Sequence, residues 1–343
     1  MSKLKTVCIL FVLLAVLTGS VFAAGGRQAG GAMRVNASQS SPAETPWHFA
    51  LHSFADYIHR NAGGRFDVQV FDNAALSQGS SAIQMEMVQS GALQVGVESL
   101  TVLAAFNPKT AILQLPFTFA DTDHVNRFIQ LRDPTWEGWM REFENSNFVI
   151  LGAAPRAMRQ LNNNLRMIRT VADIQGMRMR VPMNPFFVSI FETMGAVPVP
   201  APAVEIYTGI QLGTFNGEDN SIQLQYDFRT FEVARFFSIV NYIADINFVF
   251  ANRDFYRSLS EADRQIFRRA GEAFAREDVA RNDAHLQRAL DAGRRMGVEF
   301  WVMPEANKQG FKDRLAPFFA EFRRGYTQAE WDAFHNAVRR TAP

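Results

Sequence analysis

Two stretches decide the fold and the site, GMRMRVP at residues 176–182 and EIYTGIQLGTFNGEDN at residues 205–220. The first predicts a short apolar strand. Arg178 and Arg180 should leave one face of it, because side chains alternate along a strand. Asn220 follows in a Gly-rich turn. A guanidinium is always charged, and its planar fork of donors matches a carboxylate. The pattern therefore predicts a cleft that holds an organic acid.

The pattern does not choose between Arg178 and Arg180. A further arginine, Arg159, lies upstream in MRQLNNNLRMI, whose asparagine run is typical of a turn between strands. The alternative for any one of these arginines is a surface ion pair worth ~0–1 kcal/mol.

The N-terminus predicts export. Lys3 and Lys5 precede an apolar run that ends at Leu17, and Val21 and Ala23 occupy the positions that a signal peptidase reads. We predict a signal peptide over residues 1–23, cleavage near Ala23, a periplasmic protein and no stable membrane insertion. A Gly/Ala-rich flexible lead should follow over residues 24–33.

Composition excludes several classes of function. Removal of Lys3 and Lys5 leaves 33 of the 35 basic residues against 34 acidic ones, so nucleic-acid binding is disfavoured. The only cysteine, Cys8, lies in the signal, which leaves no disulfide framework. Phosphate-loop, dinucleotide, esterase-elbow and zinc-protease motifs are absent. We predict no cofactor, no metal and no catalytic residue.

Strand and helix patterns alternate along the chain, which is typical of an α/β fold with largely parallel sheets. Residues 46–61 predict an amphipathic helix. Ser260 caps a helical pattern that runs to about Gly293, long enough to brace two lobes. We assign 34–156 with 246–285 to lobe I, and 157–245 with 286–343 to lobe II.

One helical face of residues 46–61 carries His48, His52 and His59. Histidines four residues apart can bind a metal. No carboxylate or thiolate motif accompanies them, so we interpret this face as solvated surface that could bind zinc adventitiously.

Nearly the whole mature chain resembles the substrate-binding proteins of tripartite ATP-independent periplasmic (TRAP) transporters. The matching segments occur in order: VNASQSSPAETPWHFALHSFADYIHRNAGGRFDVQVFDNAALSQG, MVQSGALQVGVESL, QLPFTFAD, RQLNNNLRMI, DIQGMRMRVP, MGAVPVP and EIYTGIQLGTFNGEDN. The resemblance implies a two-lobed periplasmic binding protein fold with hinge strands. It also implies a small organic acid as ligand, an inner-membrane TRAP permease as partner, and no enzymatic activity. We expect a monomer.

By this resemblance Arg180 anchors the ligand carboxylate, joined by Arg159 and Asn220. In the first lobe, Glu98 and Asn36 occupy positions that often contact the far end of the ligand. An ionised Glu98 would repel a second carboxylate. We therefore favour a hydroxylated monocarboxylate such as a sugar acid, with a C4-dicarboxylate or a 2-oxo acid as the alternative. Ser80, Met167 and Asn216 depart from the family pattern. An exported enzyme acting on organic acids is the alternative class.

Overall fold

The computed structural model describes residues 31–343. The predicted signal and most of the predicted lead lie outside the described residues. The first strand begins at Met33, the last residue assigned to the lead.

The chain alternates strands and helices. The strands are β1 (Met33–Gln39), β2 (Phe66–Phe71), β3 (Val95–Ser99), β4 (Phe148–Met158), β5 (Gln160–Asn163), β6 (Arg178–Val181), β7 (Val197–Pro200), β8 (Gly217–Asn220), β9 (Phe236–Ile239), β10 (Ala244–Asn252) and β11 (Glu299–Val302). The helices are α1 (Pro46–Asn61), α2 (Ser81–Ser90), α3 (Leu100–Phe106), α4 (Thr122–Gln130), α5 (Pro134–Glu142), α6 (Pro185–Met194), α7 (Ile206–Gln211), α8 (Ile222–Asp227), α9 (Arg253–Ser258), α10 (Glu261–Arg295), α11 (Glu305–Arg314), α12 (Ala316–Arg323) and α13 (Gln328–Thr341).

Two separate sheets define two lobes. The first lobe contains a five-stranded sheet in the order β2-β1-β3-β10-β4, and the second a six-stranded sheet in the order β11-β9-β5-β8-β6-β7. The α/β class and the two lobes agree with the prediction. Each sheet is mixed rather than largely parallel, because β10 and β5 run antiparallel to both of their neighbours. Both strands enter their sheet directly from the other lobe, so they arrive without the crossover helix that a parallel strand needs.

The two lobes are joined where strands pass from one sheet to the other. β4 ends at Met158 and β5 begins at Gln160, so Arg159 lies at the crossing. A second crossing, residues 240–243, connects β9 to β10. The backbone N–H of Arg159 donates to the carbonyl of Ile243 over 2.8 Å, which ties the two crossings together. These are the hinge strands that the sequence predicts.

Helix α10 is 35 residues long and begins after Ser260, whose hydroxyl accepts from the backbone N–H of Asp263. It packs against α1 and β4 in the first lobe and against α8 in the second. A Cβ added to Gly152 of β4 would lie 2.2 Å from the carbonyl oxygen of Gly271, so only glycine allows this close approach. The predicted brace between the lobes is present.

The last helix lies on the first lobe, whereas the predicted boundaries assigned it to lobe II. The buried Phe334 of α13 packs edge-on against Phe119 and Phe128. Nε2 of His124 lies 2.9 Å from the carbonyl oxygen of Val338. An amphipathic pattern shows that a helix has an apolar face but not which lobe covers it, and this part of the prediction was wrong.

No helix within residues 31–343 combines the length and the apolar character needed to cross a membrane.

Candidate ligand-binding cleft between the lobes

A cleft of about 950 Å³, counting its open mouth, lies between the lobes. The first lobe supplies a polar wall, and the second supplies an arginine and mainly apolar neighbours. The polar residues that line it include Ser40, Ser41, Ser80, Ser81, Glu98, Thr101, Arg156, Arg159, Arg180, Asn184 and Asn220.

Arg180 lies on β6 and is 4% exposed. Its Nε donates to the carbonyl of Ala201 over 2.8 Å. Among the described residues its only carboxylate partner is Glu218, at 3.8 Å from Nη1, and neither Nη atom makes a hydrogen bond. Burial lowers the pKa of Arg180 to about 10 although Glu218 opposes the shift. The guanidinium therefore faces the cleft with both Nη nitrogens available to donate to a ligand.

Glu218 lies beneath Arg180 and is fully buried. Burial raises the pKa of Glu218 to about 7, and the charge of Arg180 limits the rise. Oε1 accepts a 3.4 Å hydrogen bond from Thr230, and Oε2 accepts one of the same length from Asn220. Near neutral pH this carboxyl therefore gives Arg180 only partial charge compensation.

Asn220 ends β8, two residues beyond Glu218, which is the register partner of Arg180. Its Oδ1 accepts from the N–H of Ser221, while Nδ2 makes only the long bond to Glu218 in the described part of the chain. The amide can turn its donor toward a bound carboxylate at little cost.

Arg159 also reaches the cleft, but its donors already have partners. Nε and Nη2 donate to the carboxylate of Asp219 over 2.7 and 3.1 Å, and Nη1 contacts Asp245 at 3.5 Å. Burial alone would lower the pKa of Arg159, yet the Asp219 carboxylate outweighs burial and raises it. Tyr242 donates to Asp219 as well, over 2.5 Å. Arg159 is therefore clamped at the hinge.

Glu98 lies at the end of β3, on the wall facing Arg180. It is 1% exposed and accepts bonds of 3.3–3.4 Å from Ser99 N–H and the Gln84 amide. Burial raises the pKa of Glu98, while the hydroxyls of Ser40 and Ser81 oppose the rise. Acceptors and hydroxyls thus line the side of the cleft away from Arg180.

Asn36 does not line the cleft. It lies in the middle of β1 opposite Gln69, and its Oδ1 accepts from Arg34. The cleft lies at the carboxyl end of β1, where Ser40 and Ser41 occur instead. The predicted contact was therefore misplaced by a few residues along one strand. Arg178 is exposed, and its Nη2 donates to the carbonyl of Gly213.

Sequence reasoning missed three residues at the cleft. Arg156 stacks over Trp47 at 4.6 Å and lies 3.3 Å from Asp245. Asn184 of the second lobe donates to the backbone carbonyl of Thr101 in the first, over 2.8 Å, and so bridges the cleft. For Asn184 a local signal existed, since an Asn before Pro185 is typical of a helix cap. No comparable sequence signal marked Arg156 or Thr101 as a cleft residue.

A two-lobed α/β fold with hinge strands and a buried cationic cleft is typical of periplasmic-type solute-binding proteins. The sequence model of the DctP family, bacterial extracellular solute-binding protein family 7, matches residues 37–325. The chain belongs to this family, and the predicted resemblance to TRAP substrate-binding proteins is confirmed. The family consists of transport proteins rather than enzymes.

Similar proteins span most of the chain. A solute-binding protein of Verminephrobacter eiseniae is 27% identical over 305 residues, covering 89% of each chain. The 2,3-diketo-L-gulonate-binding periplasmic protein of Escherichia coli is 25% identical and covers 78% of this chain and 80% of its own. The crystal structure of a TRAP solute-binding protein of Chromohalobacter salexigens with bound D-glucuronate has a TM-score of 0.83 at 23% identity, covering 90% of this chain and 99% of its own. The fold is shared.

Proposed function

We propose that this protein binds a hydroxylated monocarboxylate, such as a sugar acid, in the periplasm and delivers it to a TRAP-type permease. The observation that carries the proposal is that Arg180 is buried at the cleft and that its two Nη atoms have no hydrogen-bond partner within residues 31–343. A buried cation in this state binds an anion strongly, since the low local dielectric strengthens the attraction.

The carboxylate would be held by Arg180 and Asn220. Arg159 lies nearby, but its donors are already bonded to Asp219 and Asp245. The far end of the ligand would then meet Glu98, Ser40 and Ser81, which accept from or exchange hydrogen bonds with hydroxyl groups. A second carboxylate there would be repelled by Glu98 whenever that group is ionised. This wall therefore favours a ligand with hydroxyl groups at its far end over a C4-dicarboxylate.

Ligands of similar proteins support the same class. The Chromohalobacter structure contains glucuronate, and the sugar acid binding protein of Advenella mimigardefordensis contains galactonate. The relative from Escherichia coli is named for 2,3-diketo-L-gulonate. All three ligands are polyhydroxylated or oxidised sugar monocarboxylates.

Closure of the lobes would complete the site. The Asn184–Thr101 bond already joins the walls, and a ligand that contacts both walls favours the closed state. Glu98 and Arg180 lie on different lobes, so only the closed form offers both ends of the site at once.

A thermal-shift panel tests the ligand class. D-glucuronate, D-galacturonate and D-galactonate should raise the melting temperature, and succinate and pyruvate should not. Stabilisation by dicarboxylates alone would overturn the preference. Native mass spectrometry of the purified protein would then show whether a bound acid is returned intact, as a binding protein requires, or converted, as an exported enzyme would do.

A further inference from the structure

Outside the cleft, two histidines on α1 meet an aspartate from another element. His48 and His52 are four residues apart, and their rings lie 4.3 Å apart between centroids. Asp72 follows directly after β2, and its Oδ2 lies 2.8 Å from Nδ1 of His48. One ligand atom from each of the three residues lies within 4.8 Å of the other two.

The carboxylate of Asp72 is oriented by a hydrogen bond from a buried glutamine. Gln39, buried at the end of β1, donates from Nε2 to Oδ1 of Asp72 over 2.6 Å. The same amide donates to the carbonyl of Ser41 over 2.7 Å, so its orientation is fixed. Oδ1 is thereby occupied and Oδ2 is directed at His48. A metal-ligating carboxylate is usually oriented by a hydrogen bond of this kind.

His59, the third histidine of the predicted face, does not belong to the cluster. Its Nε2 accepts from the backbone N–H of Val68 over 3.0 Å. The sequence interpretation rejected a metal site because no carboxylate motif accompanied the histidines. The fold supplies that carboxylate from a residue 24 positions away.

We propose that His48, His52 and Asp72 form a Zn²⁺ site. Two imidazole nitrogens and one carboxylate oxygen are a usual zinc donor set, with water in the fourth position. Ligand atoms around tetrahedral zinc lie about 3.3 Å apart, given bonds of about 2.0–2.2 Å. The exposed side chain of His52 can rotate to close the remaining distance, and the partial exposure of His48 and Asp72 lets the ion enter.

The site would tie α1 to the segment after β2. That segment continues to Gly79 and Ser80, which line the cleft. A bound zinc ion would therefore stiffen the first-lobe wall without touching an organic acid.

Titration of the metal-free protein with ZnCl₂ against a chromophoric zinc indicator tests the proposal. We expect one zinc ion per chain and a rise in melting temperature on binding. His52→Gln and Asp72→Asn should each weaken binding at least about tenfold, because each removes one of only three protein ligands. His59→Gln is the matched control on the same helix and should bind as the wild type does.

His52 is exposed, so His52→Gln should melt like the wild type in the absence of zinc; this separates loss of a ligand from loss of fold. Absence of zinc binding by the wild type would overturn the proposal. So would equal weakening by His52→Gln and His59→Gln, which would indicate adventitious binding spread over surface histidines.

Discussion

The two buried arginines of the cleft differ in what surrounds them. At the hinge, Arg159 is 2% exposed and meets two carboxylates, one of them through two hydrogen bonds. On the second-lobe wall, Arg180 is 4% exposed and meets one carbonyl and one distant carboxyl. Burial is almost equal, so burial does not distinguish the proposed ligand anchor, Arg180, from Arg159. The two arginines differ in how many of their donors lack a partner among the described residues.

Loss of Arg180 should have the largest effect on binding. Arg180→Ala should cost roughly 3–5 kcal/mol of binding free energy, because the bound carboxylate loses its buried partner. Titration calorimetry with the acid identified by the thermal-shift panel measures it. Arg180→Lys keeps the charge without the fork and should recover part of the affinity. Unchanged affinity in Arg180→Ala would remove Arg180 from its role.

Loss of Arg159 should act mainly on folding. Arg159→Met leaves Asp219 buried without its cation, while Asp245 keeps only Arg156, and this should cost about 3 kcal/mol of unfolding free energy. Urea denaturation followed by circular dichroism measures this. The exposed Arg178 gives the control, since Arg178→Met should change stability by less than about 1 kcal/mol. A stable Arg159→Met protein that no longer binds acid would reverse the roles of the two arginines.

Ligand selection should depend on the opposite wall. Glu98→Gln removes the charge that would repel a second carboxylate, so affinity for a dicarboxylate of matching length should rise roughly tenfold. Calorimetric titration with both ligand classes tests it. An unaltered ratio of the two affinities would place Glu98 outside ligand contact.

The smallest effect should come from the partner of Arg180. With its pKa raised to about 7, Glu218 is protonated below that pH and ionised above it. The ionised form competes with the ligand for Arg180, so wild-type affinity should fall a few-fold between about pH 6 and pH 8. Glu218→Gln should bind with little pH dependence over the same range. A wild-type affinity that rises with pH would contradict this assignment.

The sequence could predict features that depend on local pattern. The apolar stripe of α1, formed by Trp47, Leu51, Phe54 and Ile58, is buried as its helical spacing required. The cap at Ser260 and the long helix behind it follow from spacing in the same way.

The local sequence pattern could not predict which side chains from distant segments contact each other. Nothing near Arg159 shows that Asp219 occupies its donors, and nothing near His48 shows that Asp72 approaches it. The family resemblance placed a ligand contact at Asn36, whereas Ser40 and Ser41, beyond the end of the same strand, line the cleft. The resemblance to a family selected Arg180 as the predicted carboxylate-binding residue. Charge and spacing alone did not distinguish it from Arg178.

The order of strands in the first lobe has a consequence for biosynthesis. β10 lies between β3 and β4, yet it ends at residue 252, after most of the second lobe has been made. Among the described strands β4 pairs only with β10, so the sheet stays incomplete until β10 is made and the nascent chain cannot reach its final form early. Non-local pairing of this kind slows folding. Slow folding of this kind favours export, because a polypeptide must stay unfolded until it has crossed the membrane.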